Sequence, residues 1–218
     1  MRFVTVVLAA CVLTADIVEA AVLRVNEAAT GSPVDGSAWD RAYRSPVDAL
    51  AAAQPDDELW VAEGVYKPAP ANGARTLSFP LKSGVAMYGG FPAGAESRND
   101  RDPDTRRTVL AGDLNGNDGS GSSSRDENSY HVVAHTAGEA VLDGFTVSGG
   151  NADAGEDPHN SGAGVYVTGG LLRLSRCIIE DNTAASSGAG LYVANGAIEV
   201  LASRIQSNEG AAAAPLWP

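Results

Sequence analysis

The sequence predicts an all-β solenoid, a right-handed parallel β-helix with a short N-terminal capping α-helix. Two repeated blocks and the composition carry that prediction. Ser161-Gly162-Ala163-Gly164-Val165-Tyr166-Val167 returns 26 residues later as Ser187-Gly188-Ala189-Gly190-Leu191-Tyr192-Val193. Cys177-Ile178-Ile179-Glu180-Asp181-Asn182 returns at the same displacement as Ser203-Arg204-Ile205-Gln206-Ser207-Asn208. Glycine is abundant, with 25 residues, while aromatics make up only 6%. So few large side chains do not fill a conventional globular core, whereas short β-branched runs are buried once each repeat stacks on the next.

At the N-terminus, Arg2 precedes an apolar run from Phe3 to Leu13, and Val18-Glu19-Ala20 supplies small residues at both positions a signal peptidase reads. Residues 1–20 are therefore expected to be a secretory signal peptide, and the chain to be secreted or held at the cell surface. Leu8-Ala9-Ala10-Cys11 offers a second route, a lipoprotein anchored through Cys11. Cleavage after Ala20 would leave Cys177 as the single thiol, unable to form an intramolecular disulfide; it reads as a small buried hydrophobe. No later run reaches the ~18 apolar residues of a membrane-spanning helix.

Residues 21–57 form an N-terminal segment containing the helix. Ser45-Pro46-Val47-Asp48 offers an N-cap, a proline at the first helical position and an acid at the third. The helix is expected from about Pro46 to Ala53, ended by Gln54-Pro55-Asp56-Asp57. Trp39, Tyr43, Val47, Leu50 and Ala51 make an apolar face suited to covering the open end of a solenoid. Five or six coils are expected over 58–210. Phe145-Thr146-Val147-Ser148-Gly149-Gly150 matches the Cys177 block at a longer displacement, the extra length lying in the acidic loop Ala152 to Asn160. Leu59 and Val61 precede Val85 and Met87 by 26 residues, and Val109 and Ala111 follow those by 24, placing the first coil directly after the helix. Asn182 and Asn208 fall at equivalent corners, where Asn tolerates left-handed backbone and bonds to its counterpart one coil away. Residues 211–218 read as an irregular, interrupted tail.

The formal net charge is −12, and the basic residues are scattered among acids, as in Arg98-Asn99-Asp100-Arg101-Asp102. That pattern excludes nucleic acid, which needs clustered Lys and Arg, and favours cations such as calcium. Asp113-Leu114-Asn115-Gly116-Asn117-Asp118-Gly119 alternates oxygen-bearing side chains in a Gly-rich loop, so Asp113, Asn115, Asn117 and Asp118 are candidate calcium ligands. The pattern departs from a calcium-loop template, with Asp118 where glycine belongs and Ser124 where a bidentate Glu belongs; a solvated turn is the alternative reading. The histidines His131, His135 and His159 form a second set to weigh: regular strand over Tyr130 to His135 would put His131, Val133 and His135 on one face, an outward polar pair of histidines able to hold a metal if a third ligand joined them.

Asp35-Gly36-Ser37-Ala38-Trp39, Leu59-Trp60-Val61-Ala62-Glu63-Gly64-Val65-Tyr66, Tyr88-Gly89-Gly90-Phe91, Gly112-Asp113-Leu114-Asn115-Gly116 and Leu142-Asp143-Gly144-Phe145-Thr146-Val147 stand in order along the chain. As a set they resemble the large bacterial secreted proteins with right-handed parallel β-helix repeats, of pectin-lyase-like fold. The resemblance implies an extracellular address and more coils than this chain has, so the chain reads as a truncated member. It also implies where an enzyme of this fold would work: acids holding calcium beside a base that abstracts a proton next to a uronate carboxylate, or paired carboxylates, assembled from successive coils. Here Asp181 stands against Ser207 and Gly149, and Arg204 against Ile178, which is no acid–base pair. Asp143 reads as a turn residue, and Asp100, Asp102 and Asp104 as solvated. Catalytic residues are therefore unassigned. The expected function is an exported extracellular or cell-surface scaffold, non-catalytic, serving adhesion or facing a polysaccharide or cell-surface component. The alternative is a polysaccharide lyase or glycoside hydrolase.

Overall fold

A computed structural model describes residues 20–119 and 125–212. The signal peptide expected over 1–20, with Cys11, lies outside the described residues except for Ala20, as does the expected tail from residue 213 onward.

β1 (Val22–Val25) is followed by α1 (Pro46–Ala52) and then by β2 (Glu58–Ala62), β3 (Gly64–Tyr66) and β4 (Phe79–Leu81), each in a different sheet. The same order repeats with β5 (Ala86–Phe91), β6 (Thr108–Ala111) and β7 (Val133–His135). The next two passes insert a further strand before the last: β8 (Glu139–Asp143), β9 (Phe145–Ser148), β10 (Asn151–Ala152) and β11 (Val165–Val167), then β12 (Leu171–Ser175), β13 (Ile178–Glu180), β14 (Thr183–Ser187) and β15 (Leu191–Val193). A final pass supplies β16 (Ala197–Leu201), β17 (Arg204–Gln206) and β18 (Glu209–Ala212), the last of which runs into the stretch expected to be irregular. The sheets run β1-β2-β5-β8-β12-β16, β3-β6-β9-β13-β17, β4-β7-β11-β15 and β10-β14-β18, and none closes into a barrel. Among the described residues the fold is all-β apart from α1 and one 3-10 turn, and every pairing between these strands is parallel.

Parallel register places like on like. Leu59, Met87, Leu142 and Leu174 stand opposite one another through successive strands and are almost wholly buried. Leu110, Val147 and Ile179 do the same in the second sheet. Each fully buried aliphatic side chain of this kind stabilises by roughly 1.5–3 kcal/mol. Val193, Val200, Leu201 and Ile205, on the last strands of these sheets, are exposed.

The repeated Ser-Gly-Ala-Gly has a steric explanation. Gly162 and Gly188 adopt φ of 70° and 58°, which a side chain disfavours. A Cβ on Gly164 would lie 2.9 Å from the Asn182 Nδ2, and one on Gly190 would lie 2.8 Å from that of Asn208. The second glycine of each copy therefore leaves room for an asparagine amide. The Asn182 Nδ2 donates to the Asn208 Oδ1 at 2.9 Å, as the equivalent corners predict. The left-handed residues are the preceding ones, Asp181 and Ser207, rather than the asparagines themselves.

The shorter displacement, which joins the last two copies of each block, holds as true register, Val165 opposite Leu191 and Ile178 opposite Arg204; the longer one holds as Thr146 opposite Ile178. Upstream the pairings differ from that expectation. Leu59 pairs with Met87 rather than Val85, and Val109 belongs to another sheet, opposite Val65 and Thr146. Stacking also begins before the helix, since β1 already pairs with β2. α1 ends at Ala52, just short of expectation, with the Ser45 hydroxyl accepting from the Val47 N–H at 3.1 Å. Ala49 and Leu50 are among its buried residues; Ala51 is exposed, and Trp39 packs instead on Phe91. The helix lies against β4, β1 and β2, with Lys82 donating to the Ala53 carbonyl behind it. Cys177 is buried, and burial pushes its thiol pKa up to about 11. No described helix is long and apolar enough to cross a membrane.

Candidate metal centre

After β6 the chain leaves its sheet in a loop anchored by buried Leu114. The Asp113 carboxylate folds this loop around itself. Its Oδ1 accepts from the N–H groups of Gly116 at 2.6 Å and Asn117 at 3.2 Å, and its Oδ2 from that of Asp118 at 3.2 Å. Burial works against the Asp113 charge, but these three donors and the Lys67 ammonium outweigh it and hold the pKa below the ordinary value. Asp118 is shifted the other way, raised by burial and by the neighbouring Asp113 charge.

Glu127 joins them. One carboxylate oxygen from each of Asp113, Asp118 and Glu127 lies within 4.8 Å of the others. Three carboxylates so close repel one another unless a cation is shared. Lys67 Nζ, 3.1 Å from the Leu114 carbonyl, and Arg125, 3.8 Å from Asp118, supply part of that compensation. Two of the oxygens, Asp118 Oδ1 and Glu127 Oε1, are buried without a hydrogen-bond donor among the described residues. The same is true of the Oδ1 of fully buried Asn128, whose Nδ2 donates to Asp118 Oδ2 at 2.8 Å and to the Gly149 carbonyl at 2.7 Å. Buried acceptors of this kind are ordinarily satisfied, and a hard cation with oxygen ligands is one partner that satisfies several at once.

The structure thus brings together Asp113 and Asp118 of the four predicted ligands and adds Glu127 and Asn128. Asn115 turns away: its Oδ1 accepts from the Asn72 N–H at 2.8 Å and its Nδ2 donates to the Asn72 Oδ1 at 3.2 Å. Asn117 is exposed and contributes its backbone N–H to Asp113. Glu127 carried no sequence signal, since it stands outside the Asp113 to Gly119 pattern and follows a run rich in Ser and Gly.

A second constellation escaped the sequence reading. Asp143 ends β8 buried between two arginines. Arg176 grips it with both Nε, at 3.0 Å, and Nη2, at 2.8 Å, while Arg101 donates through Nη2. The Arg101 side chain is only 3% exposed and faces the rings of Tyr88 and Phe91. Beside it opens a groove of about 560 Å³ whose walls include Asp102, Asp104, Thr146, Arg176 and Arg204.

Set against family models, curated proteins and solved structures, the chain matches none. What it can do is therefore read from its own residues. The three histidines are split: His135 is fully buried in β7, opposite Leu81 and Val167, instead of sharing an outer face with His131. Its inward position follows from strand alternation starting at Val133, since His131 precedes the strand.

Proposed function

We propose that the successive passes are coils of a right-handed parallel β-helix of pectin-lyase-like kind, exported through residues 1–20, and that the protein is a non-catalytic extracellular or cell-surface scaffold facing polysaccharide or another cell-surface component. A calcium ion held by Asp113, Asp118, Glu127 and Asn128 would stiffen the loop after β6. The observation that carries the reading is how charged side chains are used. Arg173 on β12 reaches Glu139 on β8 at 2.7 Å and Glu199 on β16 at 2.8 Å. Glu180 on β13 accepts from Arg107 before β6 and from Gln206 on β17. Asp143 ties β8 to Arg101 and Arg176. Acids and bases that a catalyst would leave facing substrate instead lace one pass to the next.

The groove lined by Arg101, Arg176 and Arg204, with Asp102 and Asp104 on its walls, favours a second reading, a lyase or hydrolase acting on the same class of polymer. One experiment separates them: purified protein is incubated with polygalacturonate in the presence of calcium, and polymer retention, unsaturated product and new reducing ends are measured. The scaffold reading expects saturable retention that Arg176→Ala and Arg204→Ala weaken, with no turnover. Product formation would establish the enzyme reading, and absence of retention would sink the polysaccharide partner.

A further inference from the structure

The acidic excursion between β10 and β11 brings His159 back to His131. The His159 Nδ1 lies 3.3 Å from the His131 Nε2, and the ring centroids are 5.3 Å apart. The His131 Nδ1 is 3.0 Å from the Gly162 carbonyl, which can only accept, so Nδ1 carries the proton. In the neutral ring, Nε2 therefore presents a lone pair towards His159. A backbone carbonyl holding one ring nitrogen protonated while the other faces a partner is the arrangement that orients a metal-binding histidine.

The rings are also fixed in place. His131 stacks on Tyr166 at 4.4 Å between centroids, His159 stacks on Tyr130 at 4.5 Å, and the Arg75 guanidinium lies 4.2 Å from the Tyr130 ring centre. Asp153 pairs with Arg75 at 2.7 Å, which offsets the cationic charge on that side.

We propose that His131 and His159 form a two-histidine site for a borderline divalent cation, zinc in particular, with its remaining positions filled by water. Zinc–nitrogen bonds of about 2.0–2.1 Å at the tetrahedral angle place two ligand nitrogens about 3.3–3.4 Å apart and their ring centroids about 5.2 Å apart. Adjacent ligands of a square-planar ion would stand closer, with nitrogens about 2.9 Å apart. The observed 3.3 and 5.3 Å match the tetrahedral case. His131 is 7% exposed, while His159, half-buried in the loop, leaves one side of the pair towards solvent. The site is separate from the carboxylate cluster, which would take a harder cation. Zinc here would clamp the acidic loop onto the turn that leads into β7.

The test is calorimetric titration of the full chain with zinc chloride, with calcium present throughout to occupy the acidic cluster. One zinc per chain is expected, with affinity falling at least tenfold in His159→Gln and unchanged in Glu127→Gln. The imidazole ¹⁵N resonances of wild-type protein supply a second readout that depends on no variant: those of His131 and His159 should move on zinc addition, and those of buried His135 should not. Absence of saturation at millimolar zinc, equal binding by His159→Gln, or shifts confined to His135 would overturn the proposal.

Discussion

Replacing Glu127 by Gln distinguishes a calcium centre from a solvated acidic turn, because the two predict opposite responses. In the calcium-free protein the substitution removes one of three mutually repelling carboxylates. In a water-like dielectric each such pair costs about 1 kcal/mol, and Lys67 and Arg125 offset part of it, so the calcium-free variant should be as stable as wild type or slightly more so. With calcium the order reverses. A loop of this kind binds with a Kd of about 0.1–1 mM, so about 10 mM calcium stabilises the wild type by about 1.4–2.7 kcal/mol. For a chain of this size that raises the thermal midpoint by about 3–10 °C. The variant, whose neutral amide replaces a charged carboxylate ligand, should lose most of that rise. Unfolding followed by circular dichroism, with and without calcium, reads both effects on one sample. A wild-type midpoint indifferent to calcium, or an equal rise in the variant, would refute the metal assignment.

The remaining predictions concern the stacked architecture. Asn182→Ala should lower stability by about 1–3 kcal/mol in urea unfolding, because the Gly150 N–H that donates to Asn182 Oδ1 at 2.9 Å would be left buried without an acceptor; Asn182→Asp should do worse, as a carboxylate would meet the Val147 and Glu180 carbonyls. Asp143→Asn should cost about 3–5 kcal/mol by leaving the buried Arg101 guanidinium uncompensated, whereas Arg173→Ala, breaking only exposed and solvent-screened pairs, should cost far less; equal losses in the two variants would contradict the burial difference. Cys177 titrates in the unfolded chain near 9 but in the folded protein near 11, so its contribution is complete below pH 9 and disappears as pH rises through 11. The stability difference between wild type and Cys177→Ala should therefore shrink by about 2–3 kcal/mol across that window, and in a Cys11→Ser background the native thiol should resist a disulfide reagent at pH 8 until urea is added.

The sequence made some of this legible because the repeated residues are themselves the contacts. In Ser-Gly-Ala-Gly the two glycines answer to separate needs, a left-handed corner and space for an asparagine amide, so both recur wherever an asparagine ladder passes. Ser45 and Pro46 marked the helix start because capping is local. Register before Gly112 was misread for the converse reason: parallel pairing constrains strand residues and leaves the connections free. Met87 meets Leu142, far beyond one repeat along the chain, because excursions after β5 and β6 lengthen the intervening pass. A search at fixed displacement finds only passes of equal length. Burial of Arg101 was equally hidden, since its partner Asp143 lies 42 residues away and alternating Arg and Asp looks solvated in isolation.

This also explains why comparing residues one period apart is a poor way to find chemistry in such a chain. Strand residues at equivalent positions face each other at fixed spacing, so opposite charges there become cross-strand ties, as with Glu139, Arg173 and Glu199. Excursions have no counterpart in the next pass and no register to satisfy. Their side chains are free to converge on a point. Both candidate metal sites arise in this way: Asp113, Asp118 and Glu127 come from the connection between β6 and β7, and His159 comes from the connection between β10 and β11 to meet His131 at the edge of the first. Neither grouping has a copy in the pass that follows it. The irregular stretches that most weaken the repeat signal are therefore where ligand binding in this protein should be sought, and the zinc and calcium titrations test that inference at two independent points.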